Sequence, residues 1–432
     1  MTRLVDALQG LVTPEMNQIA AQEGVSAEFV REGVAQGTIV LLRNTRRLHM
    51  TPLGVGAGLK TKVSASIGLH GEKSNLAAET AKIEAAVAVG TDSIMDLSVS
   101  GDIDAMRRRS LDSTPTPVGT LPLYQALAEA AQKYGSPLKM DTEQLFAVME
   151  RQAADGVDFL ALHCGLTMEV VRRAKQERRV DPLVSYGGAH LMGWMLHHHQ
   201  ENPLYEHYDR VLAIARKYDV TVSLADGMRP GCLADSLSGS QVQELVVFGE
   251  LVRRAKEAGV QVMVKGPGHV PLPQLKATVT LQKSLCQGAP YFVFGPLVTD
   301  LAAGYDHIAA AIGGAVSAWA GAEFICYVTS SEHLGLPDIH HVREGVIAAR
   351  IAAHAADLAK GLPGAADWDL ELSRARKRLD WTKQAALAID PKRVEYMRKS
   401  RSNDTSAGCS MCGKLCAMEM VAKHLGAGKL SC

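Results

Sequence analysis

The chain has 432 residues, with 46 Lys plus Arg balanced by 46 Asp plus Glu, and 8 Cys. A neutral chain advertises no basic face for nucleic acid or anionic lipid, which points to a small-molecule partner. The length allows one barrel with attachments or several smaller domains.

Residues 1–20 mix polar and apolar side chains around Pro14 and lack the charged start and apolar core of a signal peptide, so a cytoplasmic protein is expected. Residues 1–60 are read as an N-terminal helical segment. From Lys62 onward, short β-prone runs alternate with Ala-rich helical stretches. The runs are 62–67, 93–99, 159–163, 182–186, 220–225, 260–265, 291–294 and 324–329. A further short strand fits residues 115–119. About eight such units predict an α/β protein built on a (β/α)8 barrel over residues 61–364, and no G-x-G-x-x-G follows an early strand to favour a doubly wound sheet.

The most apolar stretch, residues 308–328, is rich in Ala and Gly and carries Glu323. It suits a buried helix leading into a buried strand better than a membrane span. Cys164, Cys232, Cys286 and Cys326 read as small core residues in a reducing compartment rather than as disulfide partners.

Polar and glycine residues cluster where the β runs end: Asp96 with Ser98, His163, Ser185 with Gly187 and Gly188, Asp226-Gly-Met-Arg229, and Gly266-Pro-Gly-His269. In a barrel those ends share the C-terminal rim, where chemistry is normally built. The triplet His197, His198 and His199 reads instead as a solvated helix face, because adjacent histidines on a helix point apart.

After about Gly364 the rhythm stops, and residues 365–432 read as a C-terminal helical arm. It ends in a C-x2-C-x3-C triplet, Cys409, Cys412 and Cys416. Without a secretory context, such spacing indicates thiolate ligation of a soft metal. Three thiolates on a four-iron cluster leave one iron open to a small molecule. A structural zinc, or a closed cluster with Cys432 as fourth ligand, fits the spacing too.

Five strings go further: Gly266-Pro-Gly-His-Val-Pro271, Gly295-Pro-Leu-Val-Thr-Asp300, Gly304-Tyr-Asp-His307, Glu332-His-Leu-Gly-Leu-Pro337 and Cys409-Ser-Met-Cys-Gly413. Through them the chain resembles the radical S-adenosylmethionine (SAM) enzymes of the thiamin pyrimidine synthase family. The resemblance implies a (β/α)8 barrel with an arm holding a 4Fe-4S cluster on Cys409, Cys412 and Cys416. It implies SAM on the open iron, split to a 5'-deoxyadenosyl radical that rearranges 5-aminoimidazole ribotide. It also implies one divalent metal, zinc or iron, on His269 and His333. Substrate contacts fall on Ser66, Met95, Tyr124, His163, Ser185, Tyr186, Gly187, Asp226, Gly227, Met228, Arg229, Lys265 and Phe292, with Lys265, Asp226 and Arg229 carrying catalytic roles. A flavodoxin- or ferredoxin-type electron donor and a homodimer with shared active sites follow from the same resemblance.

The departures from the family pattern gather on the substrate side. Family members usually carry Asn-Ala-Asn where this chain has Ser64-Ala-Ser66, Ser-Arg-Gly-Gly where it has Ser185-Tyr186-Gly-Gly, Glu before Gly-Pro-Gly-His where it has Lys265, and Tyr where it has Phe292. A carboxylate replaced by an ammonium reverses a local charge and removes a general-base candidate. A changed outcome after a common start is therefore expected. A branch of the family, here of the BzaF-like type, makes 5-hydroxybenzimidazole from the same substrate for an anaerobic cobamide. The alternatives are an ordinary phosphomethylpyrimidine synthase with a drifted pocket and a non-catalytic iron-sulfur carrier or sensor.

Overall fold

The computed structural model describes residues 1–71 and 74–401, together with residues 417, 420, 421 and 424. Contacts divide the chain into two compact units, Met1–Asp357 and Leu358–Cys432.

In the first unit, three short helices, Arg3–Leu8, Pro14–Glu23 and Ala27–Gln36, start at Thr2, Thr13 and Ser26, whose hydroxyls accept from orphan backbone N–H groups of the first turn. Their apolar faces pack with Ile39, Leu41 and Leu59 into a small core of their own. An antiparallel ribbon follows, β1 (Ile39–Leu42) with β2 (Leu53–Gly56).

Eight parallel strands close the barrel: β3 (Lys62–Ile67), β4 (Ser93–Asp96), β5 (Val118–Thr120), β6 (Phe159–Leu162), β7 (Thr221–Leu224), β8 (Val262–Lys265), β9 (Tyr291–Phe294) and β10 (Phe324–Cys326). β10 pairs with β3 and completes the ring. Nearly every strand residue is buried, as expected when helices cover the outside and side chains fill the inside.

The N-terminal segment is tied to residues that immediately precede barrel strands. Arg3 pairs with Asp219 at 2.7 Å, Leu41 N donates to Gln261 Oε1 at 2.8 Å, and Asn44 N donates to Asp158 Oδ1 at 2.8 Å. These contacts close the N-terminal end of the barrel and leave the C-terminal rim for chemistry.

The expected run at 182–186 is not a strand. Ser185 caps the helix Tyr186–His198 through Gly188 N, and Pro182 and the 41% exposed Val184 lie in the preceding coil. The eighth strand is β5, in the Pro-rich stretch considered as a further short strand. The apolar stretch from 308 forms the helix Asp306–Trp319 and then β10, but that helix is buried on one face only, with Trp319 63% exposed. The four barrel cysteines are unbridged, and all but Cys232 are buried. His197, His198 and His199 are exposed, as expected, but only the first two lie on the helix and His199 is its left-handed C-cap. Among the described residues no helix is long and apolar enough to cross a membrane.

The second unit contains the helices Ala365–Lys377, Trp381–Leu387 and Pro391–Arg401, and polar contacts tie the first two together. Glu371 accepts from Lys383 at 2.8 Å and from Arg374 at 2.7 Å, and the Trp368 indole N–H donates to Leu387 O at 2.8 Å. Cys409, Cys412 and Cys416 lie outside the described residues.

Candidate active site

Strand alternation decides which side chains reach the barrel interior. Register pairs Ser66 with Met95, and Lys265 with Phe292. All four point inward, since Met95 and Phe292 belong to the interior core with Tyr124, Phe159, Phe324 and Cys326. Phe292 stacks on Phe324 with centroids 4.1 Å apart, and the Lys265 ammonium sits 5.1 Å from the Phe292 centroid. Its Nζ donates to Met95 Sδ at 3.7 Å. Tyr291, one residue earlier, points outward, where a Cβ on Gly266 would lie 2.4 Å from its ring. Ser66 Oγ lies 3.5 Å from Cys326 Sγ.

His163 stands at the end of β6, fully buried. Ser185 Oγ accepts from Gly188 N at 3.2 Å and lies 3.2 Å from His163 Nε2. The Ser185 hydroxyl can donate to Nε2 or accept from it, and in either tautomer Nδ1 has no protein partner. Burial and the nearby cations Arg229 and Lys265 push the imidazole down to about 3, so it stays neutral. Gly187 is needed beside it: a Cβ there would come within 2.2 Å of His163 Cε1.

Asp226 follows β7. Its Oδ2 is buried without a hydrogen-bond partner, and Arg229 Nη1 lies 4.0 Å from its Oδ1. Burial raises the Asp226 carboxyl, and Arg229 and Lys265 act against that rise. The Arg229 guanidinium lies 5.4 Å from the Phe294 ring centroid. Tyr124 and Tyr186 meet edge to face at 4.8 Å, and His190 packs on Tyr186 at 4.2 Å. Tyr124 is buried, which pushes its phenol up to about 12. An unpaired Nδ1 on His163, an unpaired acceptor on Asp226 and two cations thus converge on one end of the barrel. Buried polar groups left open in this way await a ligand that completes them.

The two histidines of the expected metal pair do meet. His269 follows β8, His333 follows β10, and their ring centroids are 5.3 Å apart. His269 Nδ1 is 2.7 Å from Asp300 Oδ1, and Asp300 Oδ2 accepts from Leu233 N at 2.9 Å. His333 Nδ1 lies 3.2 Å from the buried Asp306 Oδ2, within ion-pair distance though off line for a hydrogen bond. A carboxylate behind each Nδ1 leaves both Nε2 atoms for a cation, the usual second shell of a metal-binding histidine. The residues therefore fit one divalent metal with coordination positions to spare. Asp300 and Asp306 were not singled out from the sequence, although both lie inside strings that were. Next to Ser66 a cavity of about 240 Å3 opens, lined among others by His70, Glu79, Lys82, Tyr327 and Glu332.

Glu244 was missed altogether. It lies on the helix Gly239–Glu257, buried, and its two oxygens accept from Gly227 N at 2.9 Å and Met228 N at 2.8 Å. No motif surrounds it, and only its burial beneath the rim reveals it.

The chain is 71% identical, over all 432 residues of both proteins, to the 5-hydroxybenzimidazole synthase BzaA of Moorella thermoacetica. It is 56% identical to the BzaA of Eubacterium limosum, covering 99% of this chain and all of the relative. Against the phosphomethylpyrimidine synthase of Moorella thermoacetica, again over the full length of both, identity is 55%. Both benzimidazole-named relatives carry the type name BzaA, where the sequence reading expected BzaF. The model of the Radical SAM ThiC family matches residues 2–423, and the chain belongs to that family.

Proposed function

We propose that this chain is a radical SAM lyase that converts 5-aminoimidazole ribotide to 5-hydroxybenzimidazole, the lower-ligand base of an anaerobic cobamide. One observation carries the reading: two relatives from a single bacterium bear the two competing names, and identity is 71% to the benzimidazole synthase against 55% to the pyrimidine synthase. The substitutions at Ser66, Tyr186, Lys265 and Phe292 support it, because they alter the wall that faces the substrate while the histidine pair is kept.

In this reading Cys409, Cys412 and Cys416 hold a 4Fe-4S cluster that, with SAM and one electron from a flavodoxin- or ferredoxin-type donor, supplies a 5'-deoxyadenosyl radical. His269 and His333 hold one zinc or iron ion through Nε2. The barrel residues bind and orient the ribotide. Arg229 pairs with an anionic group, His163 Nδ1–H donates to an acceptor on the substrate, and Asp226 Oδ2 accepts from an amine. Lys265 presents an ammonium where a carboxylate base would otherwise stand, so proton removal at that position is replaced by stabilisation of developing negative charge. The apolar floor of Met95, Phe292 and Phe324 excludes water from the radical. Two subunits share their active sites; a monodisperse monomer that turns over would overturn that part.

The test is anaerobically reconstituted full-length protein with SAM, a reductant and 5-aminoimidazole ribotide, read by mass spectrometry. 5-Hydroxybenzimidazole with 5'-deoxyadenosine is expected. Hydroxymethylpyrimidine phosphate, or rescue of a bacterial thiamin auxotroph, would establish a pyrimidine synthase instead, and absence of SAM cleavage would indicate a carrier.

A further inference from the structure

The loop Asp226-Gly-Met-Arg229 is gripped from both sides of its backbone by two charged residues that lie outside every motif. Glu244 takes the N–H groups of Gly227 and Met228, as described above. Arg179 takes the carbonyls: Nη1 donates to Met228 O at 3.2 Å and Nη2 to Arg229 O at 3.1 Å. We propose that Glu244 and Arg179 form a clamp that positions the Asp226 carboxylate and the Arg229 guanidinium for substrate, and so act as positioning residues for this site. The proposal rests on the substrate reading of those two side chains given above.

The clamp is built on rigid supports. Glu244 sits in the second turn of the long helix Gly239–Glu257, and Arg179 lies three residues beyond the helix Met168–Gln176. Those helices are tied together where the jaws meet: Glu177 accepts from Ser240 N at 2.8 Å and from Ser240 Oγ at 2.5 Å. Asp235 steadies the coil that carries Arg179 by accepting from Val180 N and Asp181 N, both at 2.8 Å. Asp181, Cys232 and Asp235 come together there as three metal-capable groups, yet both Asp235 oxygens are already spent on backbone donors. That cluster therefore serves as a bracket.

The grip leaves no slack. A Cβ on Gly227 would lie 2.8 Å from Glu244 Oε1, and a Cβ on Gly188 would lie 2.8 Å from Gly227 O. The carboxylate, the Gly227 peptide and the start of the Ser185-capped helix are thus stacked in contact, and a shift of the loop would move His163's neighbours as well. Two backbone donors held by the Glu244 carboxyl, which burial pushes up to about 8, and two backbone acceptors held by the Arg179 guanidinium fix the peptide planes between Asp226 and Arg229, and with them the exit directions of both side chains. Displacement of a positioning group by an ångström is enough to cost on the order of 100-fold in rate.

Two readouts separate positioning from mere folding. In Glu244→Gln one oxygen becomes an amide donor that faces a backbone N–H, and in Arg179→Lys the two-pronged grip becomes a single one. Hydrogen–deuterium exchange on the full-length protein should show faster exchange in the 226–229 peptide of both variants, with the barrel strands unchanged. Calorimetric binding of 5-aminoimidazole ribotide to the anaerobic enzyme should weaken by about tenfold or more. Unchanged exchange at 226–229 overturns the clamp whatever the substrate is. Faster exchange with unchanged ribotide affinity overturns its positioning role. If the parent protein itself fails to bind the ribotide, the substrate reading fails and takes the positioning role with it, and the exchange data then decide the clamp alone.

Discussion

Two corners of the barrel rim are built on opposite principles. At the histidine corner a carboxylate lies beside each imidazole, hydrogen-bonded in the case of Asp300 and His269 and at ion-pair distance in the case of Asp306 and His333, so the site is prepared for positive charge. At the Lys265 corner the ammonium rests against a thioether and an aromatic face, and makes no ion pair among the described residues. The first corner depends on a chain of hydrogen bonds from three loops, which punishes change. The second depends on soft contacts within the barrel, which accept a new side chain of similar reach.

Removing a ligand from the histidine corner should have the largest effect. His333→Ala is expected to lower bound zinc or iron, measured by elemental analysis, and to reduce product by at least about 100-fold, beyond the loss usual for an outer-shell residue. Full activity without metal would erase the distinction between the corners.

Lys265→Glu tests the soft corner from the other direction. Ring product should fall on the order of 100-fold, as for loss of a positioned acid–base group, while 5'-deoxyadenosine release stays within about twofold. Equal loss of both would assign Lys265 to SAM or to folding.

Asp300→Asn keeps the shape behind His269 but weakens the pull on its Nδ1–H. Metal affinity should drop by about tenfold, with ribotide binding unaffected. A titration showing the same metal affinity as the parent would mean that the Leu233 contact is the main task of Asp300.

The smallest effect concerns acid stability. His163 is held down to about 3 in the folded state against an ordinary 6.5, so between those values the unfolded chain binds the extra proton. The stability contributed by His163 is therefore lost as pH drops below about 6.5, while the raised carboxyls of Asp96 and Glu244 act in the opposite sense. His163→Gln should flatten that part of the profile, measured as Tm at pH 5 and pH 7. An identical slope in both proteins would remove His163 from the acid sensitivity.

Much of the barrel was legible because β/α alternation leaves a period in the chain. The misreading at 182–186 has a local cause: Leu183 and Val184 beside Pro182 look like a strand, but Ser185 with two glycines behind it makes a better helix start. Three-residue β5 was hard to see because so short a strand carries almost no pattern. The histidine pair was legible through its strings, and so in principle were Asp300 and Asp306. Glu244 and Arg179 were not, since a charged residue in an ordinary helix or loop gives no sign of what it will meet.

By itself the sequence determined the barrel rhythm, the cysteine triplet and the family strings. It could do so because periodicity, spacing and residue type are local properties. Only the tertiary structure decided that His269 and His333 meet across the rim with carboxylates behind them, that Lys265 lies between Met95 and Phe292, and that Glu244 and Arg179 hold one loop from opposite sides. Those facts depend on which strand ends and helices become neighbours when the barrel closes, and closure joins residues that no local pattern connects.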